Sequence, residues 1–376
     1  MKIFNLNLSE REGQLEASAC VRFEDSDRDD QTIYIRTPKA YRKDFSADPH
    51  AFLVGCLLPA LHLGEKRMAV DHEICPYLKE GLDTAMALLG FWTKGQYRPV
   101  KIEARIGSGA AKGDPKRAGM VMSGGMDSLA ALRLNRLHYP EPHPAYVRDC
   151  FFIHGFDIGG VVARGMKYHV FDRGMNAICR ITDDAGAGLI PVYTNIRHLC
   201  DERELWLDSF FGAVLAAVAH TFSKRIHTLF VGSSYDIPHL HPCGSHPLLD
   251  PEYSSFGLRI RHRDYQLSRL EKIKIVSEWD AAFQNFRVCL ANVPDALNCG
   301  NCEKCVRTMA ELTALGLLDK TAAFTEDVMT PDHISQFDIT IRGRPPFYRP
   351  LVPLLRDRGR GDLADAIEAQ INGGRR

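Results

Sequence analysis

Residues 119–134 read GMVMSGGMDSLAALRL. Small and apolar side chains run to Met122, the hexad Ser123-Gly124-Gly125-Met126-Asp127-Ser128 follows, and a stretch rich in Leu and Ala comes after it. This order predicts a buried strand, a tight loop and a helix. Two adjacent glycines let the loop turn sharply and bring backbone amides close to a ligand, because no Cβ stands in the way. The helix adds unpaired N–H groups and the positive end of its dipole, so the turn is suited to a pyrophosphate group. Ser123 and Ser128 supply hydroxyl donors, and Asp127 can hold Mg2+ directly or through water. The blander reading is a plain turn with Asp127 as an early-helix carboxylate; the strand before and the helix after weigh against it. The GxxxxGK[ST] loop occurs nowhere in the chain.

Working outward, strand, loop and helix repeat from Ala118 onward. Strands are expected at 118–122, 150–154, 190–194 and 227–232, with helices near 127–137, 171–184 and 203–222. Alternation of this kind predicts an α/β fold, a parallel Rossmann-like sheet covered by helices on both faces, with ligands beyond the carboxyl ends of the strands. Upstream, 2–8, 16–24, 32–37 and 99–106 read as strands, and 49–61 and 78–93 as helices. They make residues 1–110 an α+β unit with no motif tied to chemistry. The stretch 107-GSGAAKGDPKR-117 reads as a linker, and the domain boundary is placed there. Residues 118–318 form the main domain, and 319–376 a helical, peripheral extension.

Eleven cysteines are present. Cys20, Cys56, Cys75, Cys150, Cys179, Cys200 and Cys243 stand alone, too scattered for a disulfide framework. The remaining four fall in 289-CLANVPDALNCGNCEKC-305. Cys299, Cys302 and Cys305 have C-x2-C-x2-C spacing, Cys289 lies ten residues earlier, and Gly300 permits the bend that lets the thiolates converge. Four thiolates make a closed tetrahedral Zn2+ site with a structural role; an iron–sulfur cluster or a sulfur relay is chemically allowed on the same spacing.

The hexad 123-SGGMDS-128 resembles the PP-loop of the N-type ATP pyrophosphatases, which include asparagine and GMP synthetases, tRNA thiolation enzymes and 7-cyano-7-deazaguanine synthases. Together with C-x9-C-x2-C-x2-C and the following Arg307, it is most similar to the 7-cyano-7-deazaguanine synthase branch, over roughly Ala118 to Leu318. The resemblance implies an adenine nucleotide alpha hydrolase-like domain, cleavage of ATP between the α and β phosphates, transfer of AMP to a substrate oxygen, and zinc on the four cysteines. Two departures stand out: the family opens with its PP-loop near the N-terminus, and 236-DIPHLHPCGSHPLLDP-251 does not match the family's usual stretch.

Further candidates are read from position. His154 and Gly155, at the end of the strand 150–154, are placed near ATP. The Pro, His and Gly-rich stretch 233–255 is too long for a plain connector. Within it, Ser245, His246 and Asp250 are candidates for reading a polar substrate between Pro247 and Pro251. Asn195 and Arg197, after the strand 190–194, are candidates for ribose, phosphate or a carboxylate. Arg269 and Lys272, on one face of a helix capped by Ser268, are candidate cations for the pyrophosphate leaving group, and with Asp127 they make up the expected catalytic set.

Forty-seven basic and 47 acidic residues leave a net charge of zero, which makes nucleic acid the less favoured partner. Local basic candidates are 259-RIRHR-263, 356-RDRGR-360 and Arg375 with Arg376. The longest apolar stretches, such as 211–219, are too short for a bilayer and read better as a buried helix. With no signal peptide visible, a cytoplasmic location is expected. Three functions follow. The first is an ATP-dependent, ligase-like enzyme that adenylates a carboxylate and then forms an amide or nitrile. The second is thiolation of tRNA or a small molecule, with Cys243 as sulfur carrier, and the third a non-catalytic nucleotide-binding subunit. The substrate is a small molecule or a modified macromolecule, and residues 1–110 are a candidate surface for a protein partner.

Overall fold

The computed structural model describes residues 1–107, 117–341 and 343–373. Most of the expected linker, and Arg375 and Arg376, lie outside them. The N-terminal region supplies β1 (Lys2–Arg11), β2 (Gln14–Arg22), β3 (Gln31–Pro38), α1 (Pro49–His62), β4 (Arg67–Ile74), α2 (Pro76–Trp92) and β5 (Lys101–Ile106). The chain then alternates through β6 (Arg117–Val121), α3 (Met126–His138), β7 (Val147–His154), α4 (Tyr168–Asp184), β8 (Gly188–Thr194), α5 (Arg203–Leu205), α6 (Phe211–Thr221) and β9 (Ile226–Gly232). The remainder contains β10 (Arg259–Arg263), α7 (Arg269–Ser277), α8 (Asp280–Phe283), α9 (Glu303–Leu315), α10 (Pro331–Ser335), α11 (Pro345–Tyr348), α12 (Leu351–Asp357) and α13 (Gly361–Gly373).

All ten strands join one sheet in the order β10-β9-β6-β7-β8-β3-β2-β1-β4-β5. The five strands from β10 to β8 are parallel. From β6 the chain steps outward through β7 to β8, then crosses back to place β9 and β10 on the other side of β6. The strand order therefore reverses between β6 and β9, the switch point at which a doubly wound sheet opens a crevice beyond its carboxyl ends. Beyond β8 the sheet runs antiparallel through β3, β2 and β1, β3 pairing with β8 through Ile35↔Thr194 and Arg36↔Tyr193, and returns to parallel pairing from β1 to β4 and β5. The N-terminal strands and the parallel strands thus share a single sheet.

Each face carries its own core. Along β7 the side chains alternate, Phe151 and Ile153 packing with α1, α2 and α6, and Cys150 and Phe152 with α3, α4, α7 and α9. The mostly apolar α6 packs against α1 and β9, and every residue from Gly212 to Thr221 is buried, the polar His220 and Thr221 included. A π-helical turn, Trp206–Phe210, precedes it because Gly244 enters the helix. Its N–H donates to Leu207 O at 2.8 Å, and its carbonyl accepts from Gly212 N at 2.7 Å. At the other end, Leu351, Leu355, Leu363 and Ile367 join the core around α9. The C-terminal helices are therefore part of that core, not a peripheral addition.

Two strands escape the sequence reading. In β4 only Met68, Val70 and Ile74 are buried, and the polar run Asp71-His72-Glu73 breaks the alternation. The stretch 259–263, read as a basic patch, is the edge strand β10, where outward arginines discourage pairing with another chain. The other basic run is spent within the chain: Arg356 pairs with Asp365 and Glu368, Arg358 donates to Leu315 O, and Arg360 binds Asp362 and Met329 O. Among the described residues, no helix is long and apolar enough to cross a membrane.

Where α1 meets α6, Asp48 caps α1 and pairs with His50 at 2.9 Å, and His220 donates from Nε2 to Tyr253 O at 2.8 Å. Burial pushes the His220 imidazole down to about 4, whereas an unfolded histidine titrates near 6.5. As pH falls from ~6.5 toward 4 the unfolded chain takes up a proton that the folded one refuses, so stability is lost across that window, by roughly 2–3 kcal/mol. Burial raises the Asp48 carboxyl, but its bond to His50 outweighs this and holds it near about 2, so its own contribution disappears only at lower pH. His220→Gln keeps a donor for Tyr253 O and is expected to flatten the wild-type slope between pH 6.5 and 4 in denaturant unfolding. An unchanged slope would remove His220 from the account.

Candidate nucleotide and metal sites

The predicted loop lies at the switch point. β6 ends at Val121, Gly124 takes φ +76°, and Gly125 caps α3, whose first turn contains Asp127. Gly124 needs its missing side chain, since a Cβ would stand 3.1 Å from Ile178 with the backbone already left-handed. Ser123 Oγ accepts from Gly125 N at 3.2 Å and lies 3.2 Å from Ser128 Oγ, and Ser128 donates to Gly125 O at 2.9 Å. The two hydroxyls therefore shape the loop from within. Met126 is buried beneath it. Across the crevice Gly232 closes β9, where a Cβ would come within 2.8 Å of Asp127 O.

Arg269 and Lys272 converge on Asp127. Arg269 Nη1 donates to Asp127 Oδ1 at 3.1 Å, and Lys272 Nζ lies 4.0 Å from the same oxygen. The predicted Ser268 cap is present as a full capping box with Glu271, which fixes where α7 begins and hence the height of both cations. Lys272 is completely buried and donates to Ser233 O at 2.6 Å; burial lowers its pKa while Asp127 opposes the shift. Arg269 Nε donates to Glu311 on α9 at 3.2 Å. Burial pushes the Glu311 carboxyl up, against the pull of Arg269. The arrangement is a carboxylate at a helix N-terminus facing two desolvated cations.

The four cysteines also converge. Every Sγ of Cys289, Cys299, Cys302 and Cys305 lies within 4.8 Å of the others, with Cys299–Cys305 at 3.9 Å and Cys302–Cys289 at 4.0 Å. A tetrahedral ion with ~2.3 Å metal–sulfur bonds sets its sulfurs about 3.8 Å apart, so the cluster can hold a metal ion such as zinc. An iron–sulfur cluster instead spreads its thiolates around several irons. Gly300 takes φ +72°, as the bend requires, and Cys302 N donates to Cys299 Sγ at 3.2 Å. Asn298 fastens the segment, accepting from Val288 N and Cys289 N and donating to Phe286 O and Ala323 O.

Other expected residues have their polar atoms spent on the protein. Asn195 accepts from Tyr34 N and donates to Thr32 O, joining β3 to β8. Arg197 is buried, donates to Phe156 O at 2.9 Å, pairs with Asp201 and lies over Trp206, so much of its fork is spent on the protein. Ser245, Asp250 and His262 form a buried network, Ser245 donating to Asp250 at 2.6 Å and His262 meeting it at 2.8 Å. His246 packs edge-on against Trp92. This network sits with Leu249 and Tyr253 in the core opposite α3, where it secures the long loop. His154 stacks on Tyr168 and meets Met166 O at 2.5 Å, and a Cβ at Gly155 would fall 2.1 Å from Thr194 O. Both fix the turn beyond β7.

Sequence reasoning missed Arg287, Glu311 and Tyr235. Arg287 N donates to Gly124 O at 2.8 Å and its Nη2 to Cys289 O at 3.1 Å, so one residue ties the loop to the cysteine cluster. Its signal was a lone arginine between Phe286 and Val288, and that of Glu311 a carboxylate within the apolar stripe of α9. Tyr235 packs on His241 and Phe347, and burial pushes its hydroxyl up to about 12, with the Asp127 charge adding to the shift. Comparison with family models, curated proteins and solved structures found no match.

Proposed function

We propose that the chain is a PP-loop ATP pyrophosphatase-type enzyme that adenylates a carboxylate and passes it to a nitrogen nucleophile, as the 7-cyano-7-deazaguanine synthases do. The observation that carries this reading is the meeting of Asp127, Arg269 and Lys272 above the amides of the Ser123–Ser128 loop, at the reversal of the strand order. The loop amides and the α3 N-terminus bind the β and γ phosphates of ATP. Asp127 would hold Mg2+, which supplies charge neutralisation on the phosphates. A carboxylate oxygen attacks the α-phosphorus, the bond to the bridging oxygen breaks, and its electron pair leaves on pyrophosphate beside Arg269 and Lys272. An amine or ammonia then displaces AMP to give an amide; with ammonia, a second ATP would adenylate the amide oxygen, which leaves as AMP with loss of both N–H protons to give a nitrile. Zinc on the four cysteines would have a structural role, since the closed set leaves no coordination position for substrate.

The thiolation reading has less support. Cys243, its candidate carrier, donates to Ser245 O at 2.9 Å, and burial pushes its thiol up to about 12, far from a reactive thiolate. The test is the identity of the products. With α-labelled ATP and the small-molecule fraction of a cell extract, AMP and pyrophosphate are expected, because the loop grips the leaving pair and not the γ-phosphate alone. ADP as the sole enzyme-dependent product overturns the proposal.

A further inference from the structure

Glu311 is fully buried among Val306, Met309, Ala310 and Leu312 on α9. A carboxylate in such a stripe is expensive, and an apolar residue of similar volume would pack there at less cost. What it gains is geometric. Its Oε2 accepts from Arg269 Nε at 3.2 Å, and Thr308, on the same helix, lies 3.5 Å from Nη2. A planar guanidinium fastened on those two nitrogens keeps its orientation and presents Nη1 toward the N-terminus of α3, where Nη1 meets Asp127 at 3.1 Å. The helix that carries Glu311 is itself anchored, since Cys302 is its cap and Cys305 lies in its first turn.

We propose that Glu311 is a positioning residue that aims Arg269 at the pyrophosphate group, and that α9 transmits this aim from the cysteine cluster to the loop. The inference rests on the pyrophosphate reading of the Ser123–Ser128 loop. Arg307 also faces the Glu311 carboxylate, but Arg269 is the one that bonds Asp127, so toward the loop Glu311 and Arg269 form one unit whose losses do not add. The probe is magnesium pyrophosphate, titrated by calorimetry into full-length wild type, Arg269→Ala, Glu311→Leu, Glu311→Gln and the doubles with Arg269→Ala.

Arg269→Ala is expected to weaken binding about 10- to 150-fold, the range for one charge-assisted contact. Glu311→Leu should lose roughly 5- to 10-fold, and Glu311→Gln, which keeps an acceptor for Nε, should stay within about 3-fold of wild type. In the Arg269→Ala background neither change should cost anything further. Additive losses, or Glu311→Leu binding as wild type does, overturn the proposal. If Glu311→Leu does not fold, Glu311→Gln is compared in the same two backgrounds, and a loss that persists without Arg269 is the overturning result. Wild type that binds no pyrophosphate overturns the loop reading and this inference with it, an outcome distinct from the others.

Discussion

Asp127→Asn is expected to lower AMP and pyrophosphate release by about 10³-fold or more while the protein remains folded. A metal ion on a transferring phosphoryl group supplies several kcal/mol of charge stabilisation, and each ~1.4 kcal/mol is a factor of ten in rate. Asn keeps an oxygen for Arg269 but loses the charge that would hold Mg2+. The position of Asp127 at the start of a helix suggests that Asp127→Ala should be neutral for stability, and the structure corrects that expectation. Asp127 is the nearest carboxylate to the buried Lys272, ahead of Asp264 and Asp236, and one of two facing Arg269, so truncation strips a desolvated ammonium of its main counter-charge. Asp127→Ala should therefore cost about 1–3 kcal/mol in denaturant unfolding, and Asp127→Asn less. Undiminished pyrophosphate release from Asp127→Asn would show that the carboxylate is not part of the chemistry.

The contrast between these two substitutions shows where the sequence is legible. The loop, the strands β6 to β9 and the cation pair on α7 follow from local pattern, because glycine conformation, apolar periodicity and a capping serine act over a few residues. Arg269 and Lys272 could be put on one helical face from spacing alone. The partner of Arg269 on α9 could not, because Glu311 lies 42 residues beyond it and meets it only when the fold closes. The same holds for Arg287, whose backbone and side chain serve two distant segments at once.

Failures of the substrate residues have a different cause. Ser245, His246, Asp250, Asn195 and Arg197 look functional in sequence because polar side chains between prolines, or after a strand, suit a ligand. Those chemistries equally suit long ordered loops, which must satisfy their own backbone. A 2.6 Å bond from Ser245 to Asp250 and Arg197 spread over Trp206 are what such a loop and turn require to stay in place. Sequence registers that a hydrogen bond will be made; it does not say to whom. The joining of β3 to β8 is hidden for the same reason, since strand partners are chosen by the fold and not by the strand.

Loss of metal from the cysteine cluster should be the largest stability effect in the molecule. The purified protein is expected to carry one zinc per chain, and Cys302→Ser to lose it. Between α8 and α9 the chain has no regular helix or strand, so its conformation rests on Asn298, Arg287 and the four thiolates. Four thiolates this close repel one another strongly, and a cation at their centre would offset that repulsion. Binding energies of structural zinc sites are large, ~10–16 kcal/mol in isolated fingers, but this chain has two further cores to hold it, so part of that energy appears as local loosening. A fall in Tm of about 10 °C or more is the expected result for Cys302→Ser or for a strong chelator, from roughly 5 kcal/mol at ~2 °C each. The loosened segment begins where Arg287 touches Gly124 and ends at the helix that carries Glu311. Magnesium pyrophosphate binding should therefore weaken in the same samples before global unfolding sets in. Iron with acid-labile sulfide in elemental analysis would replace zinc by a cluster. Metal-free protein with unchanged Tm and unchanged pyrophosphate binding would show that the thiols pack without an ion and that α9 needs no anchor.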